Sequence, residues 1–282
     1  MRRGHTLAVG IPAMAVAVLW GLGLSGGPQS SAPVAAAATL APAVRSVSNA
    51  LPTPSGKPAL DVTFRGTHLN TKIWDTCYPW TSKPDCTNFG NHEEAEWYLP
   101  SQVQLSGGVA RLVAQRKRTV GTTSTGARKV YGCRSGMITS YPGFKFQYGF
   151  VQVVAKLPHA NGLWPALWLA PAGKGFPGKP EIDMVESWGL NNKTGSFFHP
   201  AKGDSRRATY SSALASGWQT YSLSWTKNKL RFYVGRRLVL AVGKYVPRQR
   251  MYFLADLAEY LPAKRGYCTG QLDIRSVKIW TS

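Results

Sequence analysis

Short segments in which apolar and polar residues alternate follow one another along most of this chain. Residues 103–106 and 109–114 alternate on either side of a Gly107-Gly108 turn, which is typical of a β-hairpin. The alternation returns in residues 146–157, 221–225, 230–234, 238–242 and 272–280. No window of a dozen residues has a helical apolar stripe free of Gly or Pro. We therefore predict an all-β fold, and the closely spaced turns favour a β-sandwich.

The N-terminal residues have the order of regions expected of an export signal. Arg2 and Arg3 precede an apolar stretch over residues 7–24, and small residues follow at 35–38. An uncleaved membrane anchor is the alternative, which Gly and Pro within the stretch disfavour. We expect residues 1–38 to be a signal peptide, 39–58 an Ala/Pro/Ser/Thr-rich flexible linker and 59–282 the folded domain.

This organisation also makes predictions about location and assembly. The mature domain is expected to be secreted, either free outside the cell or associated with the cell wall, with no membrane attachment after cleavage. We expect it to be a monomer.

Four cysteines in an exported chain favour disulfides. Three pairings are open, and we favour Cys77 with Cys86 and Cys133 with Cys268. A zinc site is the alternative, but the sequence has no C-x-x-C spacing and no nearby Cys or His partner.

The charge balance is strongly basic, with 34 Lys and Arg against 13 Asp and Glu and a formal net charge of +21. Nucleic acid is an obvious partner to consider for such a chain. The basic residues, however, form scattered short runs without interleaved aromatic residues, so we predict no nucleic-acid partner. These runs are Arg116-Lys117-Arg118, Arg206-Arg207, Arg236-Arg237 and Lys264-Arg265.

Because acidic residues are scarce, a cluster of three within six positions is informative. In an extended strand Glu181 and Asp183 share one face, whereas regular pleating would turn Glu186 to the other. A one-residue bulge at 184–185 would return Glu186 to the first face and leave the two apolar residues on the core side. The expected result is a row of three carboxylates that repel one another, so at least one should have a raised pKa.

Such a row is useful to a retaining glycosidase. That mechanism needs an ionised carboxylate as nucleophile and, about 5–5.5 Å away, a carboxylic acid that protonates the leaving oxygen. A middle carboxyl, Asp183, could hold the nucleophile by sharing a proton with it. Upstream, Trp164, Ala166 and Trp168 share a face if extended, and they would form a flat platform for a sugar ring or part of a core.

These residues together resemble glycoside hydrolase family 16, in its laminarinase-like branch with a bulged E-x-D-x-x-E strand. The motifs that carry the resemblance are Trp164-Pro165-Ala166-Leu167-Trp168, Glu181-Ile182-Asp183-Met184-Val185-Glu186, Gly136-Met137-Ile138-Thr139-Ser140 and Phe146-Gln147-Tyr148-Gly149. The resemblance implies a concanavalin-like β-jelly-roll with a concave cleft. It also implies retaining, endo-acting hydrolysis of a β-linked polysaccharide, most simply a β-1,3- or mixed β-1,3-1,4-glucan.

By position, the resemblance makes Glu181 the nucleophile, Asp183 its helper and Glu186 the acid/base. It places Trp164 and Trp168 against sugars, and Trp188 and His199 near the leaving-group side. It implies no cofactor for catalysis, and a structural calcium ion that would use Asp273, which supplies one oxygen ligand of the six to eight that calcium takes.

Three positions depart from the family pattern. Gln152 and Val154 stand where the family has Glu and Arg, and the alternation predicts that both face the cleft, with Gln152 a substrate ligand. Asp256 stands where Asn is usual. Other activities remain open: the same fold could act on galactans or transfer glycan to another sugar, and a non-catalytic carbohydrate- or cell-wall-binding protein is the alternative of another class.

Overall fold

The computed structural model describes residues 49–80, 94–123, 126–160, 162–173, 180–187, 193–261 and 268–282. The contacts divide the chain into residues 1–47 and 48–282, and the description below concerns the second unit. Its strands are β1 (Leu60–Val62), β2 (Glu96–Tyr98), β3 (Val103–Ser106), β4 (Val109–Thr122), β5 (Arg128–Ser135), β6 (Met137–Thr139), β7 (Gly149–Lys156), β8 (Leu163–Pro171), β9 (Glu181–Glu186), β10 (Lys193–His199), β11 (Arg206–Ser211), β12 (Trp218–Thr226), β13 (Lys229–Val234), β14 (Arg237–Val242), β15 (Met251–Glu259) and β16 (Thr269–Trp280). Short 3-10 helices lie at Pro100–Gln102 and Ser212–Ala215.

The strands form two sheets, which confirms the predicted all-β sandwich. The larger sheet has the order β14-β13-β12-β7-β16-β4-β5-β2, with β1 paired to β16 and β3 to β4. The smaller sheet has the order β11-β10-β9-β8-β15-β6. β9 is therefore a central strand of the smaller sheet, hydrogen-bonded on both sides, and its side chains are held in a fixed register.

Alternation along the strands explains the main core between the sheets. Val151 and Val153 of β7 are fully buried and pack in one apolar cluster with Ile182 of β9 and Leu167 of β8. Since successive side chains of a strand point to opposite faces, the neighbours of these residues point away from the core. One face of the smaller sheet is thus apolar, and the other is available for a site.

A second apolar cluster lies on that other face, at its β15 and β6 side. Tyr78 and Tyr98 pack there against Trp168 and Leu254, and Tyr78 also makes edge contacts with Tyr98 and Trp168, at ring-centroid distances of 5.7 and 6.3 Å. These aromatic rings cover part of the face, so the open part lies toward β8, β9 and β10.

One predicted disulfide is confirmed. Cys133 of β5 bonds to Cys268, which immediately precedes β16, with 5.7 Å between the two Cα atoms. The bond closes a loop of 135 residues that contains β6 to β15. Cys86 lies outside the described residues, so the pairing of Cys77 with Cys86 stays a prediction.

The folded unit begins earlier than the composition indicates. Residues 49–58, which we expected to belong to the flexible linker, contact the sandwich through their backbone. The carbonyl of Ala50 accepts a hydrogen bond from Tyr233 at 3.2 Å, and that of Gly56 accepts one from the Trp280 indole at 3.1 Å. Backbone carbonyls need no large apolar side chain to dock, which is why composition placed the boundary too late.

The leader and residues 39–48 lie outside the described part. Within the described ranges, no helix has the length and apolar character needed to cross a membrane.

Candidate active site

The predicted bulge is present in β9. Against β8, Asp183 lies opposite Trp168 and Val185 opposite Leu167, so Met184 is the extra residue. The register against β10 shifts at the same place. Met184 and Val185 are consecutive yet both are buried in the main core. Glu186 therefore returns to the face that holds the other two acids.

The neighbouring strands shape the surface around these acids. Glu186 lies between Ala166 of β8 and Gly195 of β10, and Ala166 in turn pairs with Asp256 of β15. The small side chain of Ala166 leaves space above the sheet on the β8 side of Glu186. The resulting cleft has a volume of about 120 Å³. Its lining residues are Tyr78, Glu94, Trp164, Ala166, Trp168, Glu181, Asp183, Glu186 and Asp256.

Glu181, Asp183 and Glu186, here called the β9 triad, are electrostatically crowded. Asp183 is only 2% exposed. Burial raises the pKa of Asp183 well above its usual range, and the negative charges of Glu186 and Glu181 raise it further. The middle member thus holds its proton more strongly than an exposed aspartate would, as the crowding predicted.

His199 lies beside the triad. It pairs with Glu181 across β9 and β10, and its Nε2 is 3.4 Å from Oδ2 of Asp183. Its Nδ1 forms a 2.8 Å hydrogen bond with Ser205. Glu181, Asp183 and His199 can bring one ligand atom each within 4.8 Å of the others, so they could also hold a metal ion.

The two tryptophans predicted to share a face both line the cleft, and each donates its indole N–H to an acid. Trp164 donates to Glu186 at 3.0 Å, and Trp168 donates to Asp256 at 2.6 Å. Trp164 is half-buried, whereas Trp168 is 5% exposed and packed among the aromatic rings. Trp164 is therefore the more available surface for a sugar ring.

A second set of acids, here called the inner acid group, consists of Glu94, Glu96 and Asp256. Asp256 accepts hydrogen bonds from Trp168 and, at 3.4 Å, from Tyr98. Burial raises its pKa to about 7, although these two donors act in the opposite direction. Burial likewise raises the pKa of Glu96 to about 7, against hydrogen bonds from the backbone N–H of Glu259 and from Glu94.

Our sequence reasoning missed the inner acid group. The signal was available, because Glu93, Glu94 and Glu96 are three acids within four positions in a chain that has only 13. This is a denser cluster than the β9 triad. The sequence pattern could not have linked Glu94 and Glu96 to Asp256, because only the tertiary fold brings these residues together.

One predicted substrate ligand is wrongly placed. The alternation correctly separated Val151 and Val153 from Gln152 and Val154, but β7 belongs to the larger sheet, on the far side of the core from the β9 triad. Gln152 pairs with Ser222 and Lys278 on the outer face of that sheet. Periodicity identifies which residues share a face, but not which of the two sheets a strand joins, and Gln152 cannot line this cleft.

Asp273 lies in surroundings that do not fit calcium. Its Oδ1 accepts a 2.7 Å hydrogen bond from Gln271 and is 4.0 Å from Nε of Arg111. Burial raises the pKa of Asp273, and the charges of Arg111 and Lys156 oppose that shift. Cations and an amide donor already satisfy this carboxylate, whereas calcium needs several oxygen ligands. Trp188, the remaining predicted site residue, lies outside the described residues.

The fold and this site together define a β-jelly-roll in which three acids emerge on the open face of the smaller sheet beside a tryptophan. The comparison with known families gives the class a name, and it confirms the resemblance seen in the sequence. The chain belongs to the glycosyl hydrolases family 16, whose family model matches residues 93–253.

Individual relatives are more distant. The endo-1,3-1,4-beta-glycanase ExsH of Rhizobium meliloti (strain 1021) is 29% identical over 171 residues, which cover 57% of this chain and 36% of ExsH. The keratan-sulfate endo-1,4-beta-galactosidase of Sphingobacterium multivorum is 33% identical over 118 residues, covering 37% of this chain and 27% of that protein. This chain thus spans about a third of the length of these curated relatives.

Solved structures confirm the fold. The laminarinase catalytic domain from Thermotoga maritima MSB8 superposes with a TM-score of 0.67 at 20% identity, covering 80% of this chain and 98% of that one. At this identity the similarity supports the jelly-roll architecture only.

Proposed function

We propose that this protein is a secreted, endo-acting glycosidase that cleaves a β-linked polysaccharide with retention of configuration. The observation that carries the proposal is the bulge at Met184, because it places three carboxylates on one open face of the smaller sheet. Buried acids that serve only stability are normally paired with donors. In the β9 triad Glu186 accepts a hydrogen bond from Trp164, and the charges of Glu181 and Glu186 also act on Asp183. This closeness of the acids suits chemistry that moves a proton.

In the proposed first half-reaction, the Glu181 carboxylate attacks the anomeric carbon and the glycosidic bond breaks. Glu186 donates its proton to the leaving oxygen, so the first product leaves with a hydroxyl group and Glu181 carries the glycosyl group as an ester. The charge on Glu181 is then gone, and Glu186 can take a proton from water. That water attacks the anomeric carbon and releases the second product and free Glu181.

The remaining contacts support these roles. The protonated form of Asp183, which its burial favours, can donate a hydrogen bond to Glu181 and keep it ionised and oriented. The indole of Trp164 holds Glu186 at 3.0 Å, which fixes the direction of proton transfer. His199, 3.4 Å from Asp183, would contact the sugar at the cleavage site.

The substrate proposed first is a β-1,3- or mixed β-1,3-1,4-glucan, because the name of ExsH, an endo-1,3-1,4-beta-glycanase, gives these β-linkages. A galactan is the second candidate, and the 33% identity to a keratan-sulfate endo-galactosidase favours it. Export is proposed from the leader pattern and is supported by the disulfide between Cys133 and Cys268. A monomeric protein remains our expectation.

The direct test measures reducing ends released from laminarin, mixed-linkage glucan, agarose and carrageenan, with the products analysed by mass spectrometry. Glu181→Gln and Glu186→Gln should each lower turnover of the preferred polymer by about 10²–10⁴-fold or more. Asp204→Asn, an exposed acid in the loop after β10, is the control and should retain full activity. Equal activity of Glu181→Gln and the wild type would overturn the assignment.

Azide rescue separates the two roles. Glu186→Ala with azide and an activated glycoside should form the β-glycosyl azide, because azide replaces water in the second displacement. Glu181→Ala should form the α-azide by a single displacement. If Glu186→Ala gave the α-azide and Glu181→Ala gave the β-azide, the roles of nucleophile and acid/base would be exchanged between the two residues. Binding of the polymers without release of any product by the wild type would favour a non-catalytic binding protein.

A further inference from the structure

The open face of the smaller sheet has a charge gradient across its strands. The inner acid group lies at the β15 side and the β9 triad lies in the middle. On the opposite side, the sheet ends at β11, an edge strand with exposed arginines at Arg206 and Arg207. The sequence alone presented these arginines as one of several scattered basic runs.

Register distinguishes the two arginines. Arg207 pairs with Phe197, which pairs with Asp183. Directly paired residues of an antiparallel ladder point to the same face of the sheet, so Arg207 lies on the cleft face, in one row with Asp183. Arg206 pairs with Phe198, which is buried in the main core. Arg206 is therefore on the opposite face of the strand.

One strand separates the β9 triad from Arg207. This strand is β10, whose cleft face carries Gly195, Phe197 and His199 next to the triad. Phe197 is 4% exposed, and its ring lies over Gly195, where a Cβ would come within 2.6 Å of ring atoms. Two strand spacings put Arg207 about 10 Å from β9, and the β10 residue between Arg207 and Asp183 in that row is Phe197.

Arg207 also has no partner of its own among the described residues, since no carboxylate lies within ion-pair distance of it there. The acid nearest to it in the sequence, Asp204, is exposed in the preceding loop, which also carries Lys202. A guanidinium that is not neutralised by the protein can bind a planar or tetrahedral oxyanion through two parallel N–H donors. The crowded acids of the β9 triad, in contrast, would repel an anion at the cleavage point.

We propose that Arg207 forms an anionic subsite at the β11 end of the cleft, which binds a sulfate ester or carboxylate substituent of the polysaccharide away from the bond that is cleaved. The inference rests on the proposed function and narrows it to substrates that are neutral at the reacting sugar and anionic further along the chain. Arg207 is thus a specificity-determining residue and takes no part in bond cleavage.

The test compares Arg207→Gln with Arg206→Gln, which removes the same charge from the adjacent residue on the other face. The substrates are one β-glucan in three forms: neutral, partially sulfated and carboxymethylated. Arg207→Gln should lower kcat/KM about fivefold on an anionic form, mainly through KM, and the loss should shrink at high salt. Arg206→Gln should stay within twofold of wild type on every form. Sulfated and carboxymethylated glucan identify which oxyanion is preferred.

Equal losses in the two variants would overturn the proposal in favour of diffuse surface charge, and an equal loss on neutral glucan would indicate a structural effect. Binding of the same three polymers to Glu181→Gln, with and without each arginine substitution, provides the readout that does not require turnover. Anionic polymer bound equally with and without Arg207 overturns the subsite. If the wild type turns over none of the polymers but still binds anionic glucan in preference to neutral glucan, and Arg207→Gln removes that preference, the proposed function is overturned instead.

Discussion

The cleft contains two groups of three acids that differ in how they are satisfied. The inner acid group is held by donors from elsewhere: Asp256 receives the Trp168 indole and the Tyr98 hydroxyl, and Glu96 receives the backbone N–H of Glu259. In the β9 triad, Asp183 is as deeply buried, but the neighbours that act most strongly on it are the two other acids of the triad.

Under the proposed mechanism, burial alone does not identify the reactive carboxylates. Asp183 of the β9 triad has a raised pKa caused mainly by desolvation, and so have Asp256 and Glu96 of the inner acid group. A buried acid with fixed donors, such as Asp256, holds the aromatic side chains that donate to it, Trp168 and Tyr98, in place. When acids face one another, a change in the charge of one acid changes the pKa of its neighbours. A two-step displacement requires such a change, because the acid/base must give up a proton in the first step and take one in the second.

Exchange of residues 185 and 186 (Val185→Glu with Glu186→Val) should have the largest effect, because it removes the third acid of the β9 triad from the cleft face. The side chain of residue 185 lies in the main core, where an unpaired carboxylate is costly. We expect activity to fall by at least about 10²–10⁴-fold, the usual contribution of general acid–base catalysis. The measurement is turnover alongside circular dichroism. Met184→Leu keeps all three acids in place and should remain active; loss of activity in that variant would mean that packing, and not the position of the acids, is responsible.

The inner acid group should make stability dependent on pH. Asp256 and Glu96 have folded-state pKa values raised to about 7, whereas the unfolded carboxyls titrate near pH 4. Between these two pH values the folded state binds more protons than the unfolded state. The stability that these two groups contribute is therefore fully present below about pH 4. This contribution is lost as the pH rises from about 4 through about 7, by at most about 1.4 kcal/mol per pH unit for each group.

Asp256→Asn, which stays neutral, should therefore reduce the fall in Tm between about pH 5 and pH 8. Thermal unfolding across that range measures the slope, with Asp204→Asn as the exposed control. An unchanged slope in Asp256→Asn would show that Asp256 does not hold the extra proton.

Glu96→Ala should destabilise the fold while sparing the chemistry. It leaves the N–H of Glu259 without its acceptor, which costs about 1–3 kcal/mol for a buried group. Urea unfolding should show this loss, and kcat should remain within a few-fold of wild type. A loss of kcat comparable to that of Glu181→Gln, in a variant that is still folded, would place Glu96 in the reaction and remove the distinction between the two groups.

The two indole donors should give the smallest and most selective effects. Trp168→Phe removes a donor to Asp256 and should lower stability by about 1 kcal/mol with little change in the pH–activity profile. Trp164→Phe removes the donor to Glu186, favours the protonated acid and should move the alkaline limb of that profile upward. If Trp168→Phe moved the profile as much as Trp164→Phe, the inner acid group would be coupled to the reaction.

The sequence was a good guide wherever local pattern decides the outcome. Alternation predicted the strands, and the spacing from Glu181 to Glu186 predicted a bulge with its position. It failed where tertiary pairing decides: Gln152 was assigned to the wrong sheet, and the link between Glu96 and Asp256, 160 positions apart in the chain, has no local signature. Asp256 was noticed as unusual at its position, but its role depends on Trp168 and Tyr98.

The bulge also divides β9 into two mechanically separate halves. Ile182 anchors the half that bears Glu181 and Asp183, and Val185 anchors the half that bears Glu186, each through its own contact with the core. A slight change in the volume of either anchor would tilt one half and leave the other in place. The gap between the two outer carboxylates can therefore be tuned from inside the protein, by residues that no substrate ever touches.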